Sequence, residues 1–591
     1  MSAPSDTLEQ QKLKGKTSNN MSASSDHRGE TAPLISGGSP ASPQTPMQKL
    51  KSKFQKLKND LRWQKTMKLV LVAILLVVLI FQLLAPNTHF WPHLRKKKRN
   101  VIFFVTDGMG PASLSMTRSW RQFHFNLTSD DTLTLDKHFI GSSRTRSSSS
   151  LVTDSAAGAT AFSCALKSYN GAIGVDPWQN PCGTVLESAK LHGFLTGLVV
   201  TTRITDATPA AFSSHVDYRS MEDQIAEQQL GFYPLGRMVD LMIGGGRAHY
   251  NSRADGRNLL EEAESELGWN VITNRSEFDH LEASNNRTLP LLALLADYDI
   301  PYQLDRDPKV YPSLKEEALL AIDHLHKNSE KGFFLMVEGS RIDHAGHSND
   351  PSAQVREVLA FDEMFAAVVQ WAKEHPDEET ILFSTSDHET GGLTVSRQIT
   401  KGYPDYVWYP EILDKCKHSG EYMIKELYKR FNYYNTMHSE NIDPSGKNTK
   451  FTNFVQETVF EDWMGLSRDD YLSSDIADVF EYCENNNMGQ LQDKLNDMIS
   501  VRAQIGWSTH GHSAVDVITY MYANNKELYS WALDKLQGNR ENTEFGRVVE
   551  EFLGLDIDEV TELVKKTNHG ILTEYGAETI QKGHDEYGHV Y

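Results

Sequence analysis

Four short runs of almost wholly apolar residues punctuate the chain beyond residue 100, at residues 101–105 (VIFFV), 197–200 (GLVV), 333–337 (FFLMV) and 381–384 (ILFS). Runs of that length with no polar alternation suit strands buried on both faces, as in a parallel sheet covered by helices. Between them, stretches such as residues 350–373 repeat apolar side chains at helical spacing. The pattern predicts an α/β fold: a central, mostly parallel sheet sandwiched by helices. A fifth run, residues 69–85, is apolar throughout except for Gln82, and its length is near the minimum for crossing a bilayer. It follows a long polar segment and precedes no small-residue cleavage pattern, so it predicts one transmembrane signal anchor over residues 67–86 rather than a removed leader.

Charge divides the chain at the same place. Residues 1–99 carry 17 Lys and Arg against 5 Asp and Glu. That net +12 leaves −32 on the remainder of a chain whose total is −20. Such an acidic body argues against nucleic acid as a partner. The basic excess before the apolar run favours a cytosolic N-terminus, with the larger part on the lumenal side as in a single-pass type II protein. Residues 1–66, rich in Ser, Pro, Gly, Gln and Lys, are expected to form a disordered basic cytosolic tail. Within that tail, Glu30 with Leu34 and Ile35 has the form of an acidic dileucine signal for a sorting adaptor. Residues 87–100 read as a basic juxtamembrane linker, residues 101–570 as the catalytic domain, and residues 571–591 as a tail that is disordered or processed. Glycosylation sequons stand at Asn126, Asn274 and Asn286. Four cysteines, Cys164, Cys182, Cys416 and Cys483, show no metal-ligand spacing. Disulfides, with three possible pairings, and buried thiols both remain open.

Each of the four apolar runs is followed at once by acidic or mixed polar residues: Thr106 and Asp107; Thr205, Asp206 and Thr208; Glu338 to Asp343, His344 and His347; and Ser386, Asp387, His388 and Glu389. In open α/β sheets, ligands gather beyond the carboxyl ends of the strands. A lone Asp there is usually a helix cap or turn residue, but four such clusters predict convergence. Converging Asp, Glu and His side chains repel one another unless a cation holds them. Asp343 with His347, and Asp387 with His388, mix carboxylate and imidazole in the manner of zinc ligands. Glu338, Thr208 and Asp206 offer oxygen alone, which suits magnesium. His510 and His512 supply late imidazole candidates. Ser155 opens the Ala- and Gly-rich segment 155–161. On its own it reads as a helix cap, yet a phosphate at that position would meet backbone N–H groups and the positive end of the helix dipole.

Taken together these segments resemble the alkaline phosphatase family over nearly all of residues 100–530. The resemblance rests on residues 100–110 (NVIFFVTDGMG), 153–160 (TDSAAGAT), Asp206 to Thr208 with His215 to Arg219, residues 244–247 (GGGR), Val337 to His347, residues 385–392 (TSDHETGG) and the segment around His512. It implies hydrolysis of phosphate monoesters through a phosphoserine on Ser155, with a broad substrate range that could include phosphopeptides, and with an alkaline optimum. It implies two Zn2+ ions, one on Asp343, His347 and His512 and the other on Asp107, Asp387 and His388. It implies one Mg2+ on Asp107, Thr208 and Glu338, with Asp206 acting through water. Arg219 and His344 are expected to contact phosphate and Asp154 to hold Arg219, in a homodimer on the vacuolar membrane. His512 is preferred to His510 because its spacing to Val515 and Asp516 matches the family's last zinc motif. Asp206 follows the bacterial type and His344 the animal type, which leaves metal selectivity at the third site open. A phosphodiesterase or sulfatase with the same two-metal core, and an inactive ectodomain, are the alternative readings.

Overall fold

The computed structural model describes residues 45–84, 97–284, 287–437 and 448–567. It divides into two units, residues 1–94 and 95–591. In the first, helix α1 (Pro46–Leu84) is continuous over 39 residues. It begins inside the stretch expected to be disordered, so residues 46–66 depart from that expectation. The cause is local: Pro46 occupies a first-turn position where its missing N–H costs nothing, and the Lys, Gln, Leu and Met that follow are good helix formers. The apolar run falls at the end of α1 and passes out of the described residues. Among the described residues, no helix is long and apolar enough to cross a membrane. The dileucine segment, Asn286 and the 571–591 tail lie outside the described residues.

The second unit is built on a ten-stranded sheet. Its strands are β1 (Arg99–Val105), β2 (Phe139–Arg144), β3 (Leu195–Arg203), β4 (Leu241–Gly245), β5 (Asn270–Ile272), β6 (Leu291–Leu294), β7 (Gly332–Glu338), β8 (Glu379–Thr385), β11 (Val517–Ala523) and β12 (Gly538–Glu541); β9 (Glu389–Thr390) and β10 (His512–Ser513) form a separate two-stranded ribbon. The order across the sheet is β12-β2-β11-β8-β1-β7-β3-β4-β6-β5. The four apolar runs are therefore the four adjacent central strands β8, β1, β7 and β3, all parallel. Only β11 runs antiparallel, between β8 and β2.

Alternation along β1 explains why these strands lack a polar face. Val101, Phe103 and Val105 point into one hydrophobic layer, and Ile102 and Phe104 into the other. The first layer is covered by helices α3 (Ser155–Ser163), α4 (Val185–Leu191) and α5 (Ala207–Ser213), together with the helix Thr543–Leu553. The second is covered by the helices Leu314–Asn328 and Pro351–Glu374. Phe103 sits 5.3 Å from the Phe162 ring and 5.8 Å from that of Phe212, which seats α3 and α5 directly on the central strand. A third apolar cluster joins helix α2 (Pro111–His124) to the helices between Pro410 and Ala503. Cys164 and Cys182 form a disulfide that links the end of α3 to the segment leading into α4. Cys416 and Cys483 are buried thiols in the third cluster, each pushed up to about 12 by burial.

Candidate active site

The carboxyl ends of β1, β3, β7 and β8 open on one side, and the polar residues after each run meet there. Ser386 ties two ends together: its Oγ donates to Thr106 O and accepts from Met109 N at 3.0 Å. Two glycines permit the close approach. A Cβ on Gly108, whose φ is +76°, would lie 2.5 Å from Asp343 Cα, and one on Gly158 would lie 2.9 Å from Asp387 Cβ. His512 arrives by another route, since the β9–β10 ribbon pairs it with Thr390, two residues beyond His388.

The result is a buried cluster of carboxylates and imidazoles. Asp107 Oδ1 and Asp387 Oδ2 lie 3.5 and 3.3 Å from His388 Nε2. Asp343 Oδ2 lies 3.2 Å from His347 Nε2, and Asp343 Oδ1 lies 3.7 Å from His512 Nε2. His512 Nε2 and His347 Nε2 are 3.1 Å apart. Asp107, Asp387 and His388 present ligand atoms within 4.8 Å of one another, and so do Asp343, His388 and His512. His388 thus stands between the two groups, with its ring stacked on His512 at 3.4 Å. His510 stays outside, half-exposed, with its Nδ1 on His347 O.

Electrostatics show what this cluster lacks. Burial, then the neighbouring charges of Asp387 and Asp343, push Asp107 well above the ordinary carboxylate range. Burial and Asp343 raise Asp387 to about 7, and burial raises Glu338 to about 8. Burial opposes ionisation of Asp343 too, but His347 and His512 outweigh it and hold that carboxyl well below its usual value. Burial and then His512 depress His388, leaving a neutral imidazole, the form that ligates metals. Asp107 Oδ1, Asp387 Oδ2 and Thr208 Oγ1 are buried with no hydrogen-bond partner. Unpaired buried oxygens beside carboxyls that resist ionisation are the signature of a site completed by cations.

Ser155 is the first residue of α3, and its Oγ is 2.9 Å from His388 Nε2. The helix cap is its neighbour: Asp154 Oδ1 accepts from Ala157 N at 3.0 Å, and Oδ2 accepts from Gly171 N at 2.8 Å. This corrects the capping reading of Ser155, because the carboxylate reaches the third amide and leaves the hydroxyl aimed into the cluster. Arg219 lies beside it, with Nη2 donating to Asp206 Oδ1 at 3.0 Å and Nη1 3.6 Å from Asp154 Oδ2. Asp206, rather than Asp154, is thus its closer anchor. Burial would raise Asp206, but Arg203 and then Arg219 overcome it and keep Asp206 ionised. His344 Nδ1 faces Asp299 Oδ2 at 3.6 Å. Sequence patterning missed Asp299, Arg203 and Thr390, whose Oγ1 bonds Asp343 Oδ1 at 2.5 Å. Asn126 and Asn274 are exposed.

A serine at a helix start, a guanidinium beside it and two groups of ligands around it define a phosphoryl-transfer hydrolase that depends on metal. The family model for alkaline phosphatase matches residues 98–555. The chain belongs to the alkaline phosphatase family and is a phosphoric monoester hydrolase. It is 56% identical over 541 residues to the repressible alkaline phosphatase of Saccharomyces cerevisiae, covering 88% of this chain and 92% of that protein. It is 43% identical to the alkaline phosphatase of Schizosaccharomyces pombe, covering 85% and 90%. Among solved structures it is similar to the alkaline phosphatase of Thermus thermophilus, at 27% identity and a TM-score of 0.63 over 80% of this chain and 97% of that one. The cold-active alkaline phosphatase of a Shewanella species gives 29% identity and a TM-score of 0.62, covering 77% and 99%.

Proposed function

We propose that the chain cleaves phosphate monoesters in two in-line displacements through a phosphoserine on Ser155. The observation that carries this is the Ser155 hydroxyl, buried at the start of α3 and 2.9 Å from a neutral imidazole that belongs to both ligand groups. Asp343, His347 and His512 would hold one Zn2+, and Asp107, Asp387 and His388 the other. Asp107, Thr208 and Glu338 would hold Mg2+, with Asp206 acting through water. Bound there, the cations would favour the ionised forms of the attacking oxygens and neutralise charge on the leaving oxygen.

Ser155 Oγ forms a bond to phosphorus as the bond from phosphorus to the ester oxygen breaks, and the alcohol departs with a proton. Water then attacks the phosphoserine, the Oγ–P bond breaks, and inorganic phosphate leaves as Ser155 recovers its proton. Arg219 binds two phosphate oxygens with its planar fork, and the first amides of α3, which have no intrahelical acceptor, add donors. His344 adds a further contact to phosphate. Because these groups engage the phosphoryl end alone, many alcohols can serve as leaving groups, the side-chain hydroxyls of phosphopeptides included, and activity rises toward alkaline pH.

For the rest of the chain, residues 67–86 anchor a single-pass type II protein in the vacuolar membrane, with the catalytic domain lumenal. The protein is a homodimer, sorted through Glu30, Leu34 and Ile35 and glycosylated at Asn126, Asn274 and Asn286. The apolar run, the basic excess before it and the Cys164–Cys182 disulfide, a bond of oxidising compartments, support this placement. The catalytic proposal is tested with p-nitrophenyl phosphate and its bis-ester, alongside metal analysis. The wild type should prefer the monoester, and Ser155→Ala should lose at least about 10³-fold in turnover while keeping its metal. Diester preference, or full turnover by Ser155→Ala, would overturn it.

A further inference from the structure

Beside the acidic cluster, three arginines alternate with four carboxylates in a single line of ion pairs. The line starts at Asp154 and runs through Arg219 to Asp206. Asp206 Oδ1 is 3.4 Å from Arg203 Nη2. Arg203 Nη1 donates to Asp299 Oδ1 at 2.8 Å, and Asp299 Oδ2 is 3.3 Å from Arg341 Nη1. Arg341 ends the line on Glu421, in the helix Gly420–Met437. Glu222 flanks Arg203 at 3.0 Å.

We propose that Asp299 is a positioning residue for phosphate binding, acting through Arg203 and Asp206 to fix the orientation of Arg219. This rests on Arg219 being the phosphate clamp. A long guanidinium side chain loses rotamer freedom when it is ordered, so a clamp binds well only if something else orders it first. Asp206 Oδ1 accepts the short hydrogen bond from the Arg219 guanidinium at 3.0 Å, and the same oxygen also accepts from Ala207 N at 2.8 Å. Arg203 faces that same oxygen at 3.4 Å, so Asp206 Oδ1 is shared between the two guanidinium groups. Asp299 grips Arg203 at both ends, since its Oδ1 accepts from the backbone N at 3.1 Å as well as from Nη1. Through Oδ2 it also faces Arg341 and His344, both on the helix Arg341–His347 that carries Asp343 and His347. Asp299 is thus the point where the clamp is tied to a metal-ligand helix. Arg341, almost wholly buried, stacks at 3.9 Å over the Tyr302 ring and makes that anchor stiff.

The test measures the affinity of the full-length, metal-loaded protein for inorganic phosphate by competitive inhibition and calorimetry, with bound metal and Tm followed in parallel. Asp299→Asn should weaken phosphate binding and raise KM by about ten-fold, lower kcat far less, and leave metal content unchanged. In an Arg219→Ala background the same substitution should have almost no effect on phosphate affinity, because the two act in series. Arg203→Lys, which keeps the charge but lacks the fork that spans Asp206 and Asp299, should reproduce the loss and covers the case in which Asp299→Asn folds poorly. Wild-type phosphate affinity in both variants, or an equal loss with and without Arg219, would overturn the proposal. An Arg219→Ala protein with wild-type phosphate affinity would overturn the clamp reading itself, and this proposal with it.

Discussion

Two sets of carboxylates meet at the carboxyl end of the same sheet, and they are compensated in opposite ways. Asp154, Asp206 and Asp299 are interleaved with Arg219, Arg203 and Arg341, so every charge has a partner supplied by the chain. Among the described residues, Asp107, Asp343 and Asp387 have imidazoles as their ion-pair partners and no arginine or lysine, with the Thr390 hydroxyl on Asp343, and Glu338 has the Ser340 hydroxyl at 2.7 Å. The first set is complete on folding. The second is assembled by the fold and left to be completed from solution, so its stability and its function depend on metal.

The largest effect expected from breaking this contrast is in Asp387→Asn. Turnover of p-nitrophenyl phosphate should fall by about 10³-fold or more with loss of bound metal, while Tm after chelation should rise above that of the chelated wild type, because an uncompensated carboxyl has been removed. A lower Tm in the chelated variant would show that the cluster compensates itself. The next effect is in pH. In the chelated protein Asp387 titrates at about 7 and Glu338 at about 8, whereas both ionise near pH 4 in the unfolded chain. Between those values the folded state holds the extra protons. Its stability is therefore full below about pH 4 and is lost as pH rises through 7 and 8. Thermal melts from pH 5 to 9 should slope downward for chelated protein and less so for loaded protein; parallel slopes would refute this. The smallest effect is in Asp206→Asn, which leaves two arginines short of a partner and should cost roughly 1–3 kcal/mol. That is a Tm lower by a few degrees with or without chelator, and a loss seen only in loaded protein would show that the part of Asp206 at the third metal site outweighs its pairing with the arginines.

Legibility in the sequence followed the same divide only in part, since Asp154, Asp206 and Arg219 came with the family's motifs while Asp299, Arg203 and Glu421 did not. The central strands could be read because burial on both faces removes polar residues, and the metal-site candidates because polar clusters directly follow such strands. β6 and the Asp299 beyond it carry the same signal, an apolar run ending in Asp, but residues 291–296 (LLALLA) are leucine and alanine, which read as readily as helix. Arg203 was hidden at the end of β3, where a lone Arg has many surface uses. Glu421 lies in the helical region between Pro410 and Ala503, whose packing on α2 no local pattern announces. The cap on α3 was misread by one residue because Asp and Ser are near-equal in that role.

The two-residue ribbon that delivers His512 also sets a clock. All four central strands have been synthesised once residue 385 is made, and at synthesis rates of about 5–20 residues per second the segment carrying His512 follows roughly ten seconds later. During that interval the nascent chain holds Ser155, Arg219 and most of the candidate ligands but not His512. The candidate site is therefore completed late in synthesis, after the helical region between Pro410 and Ala503 has been made.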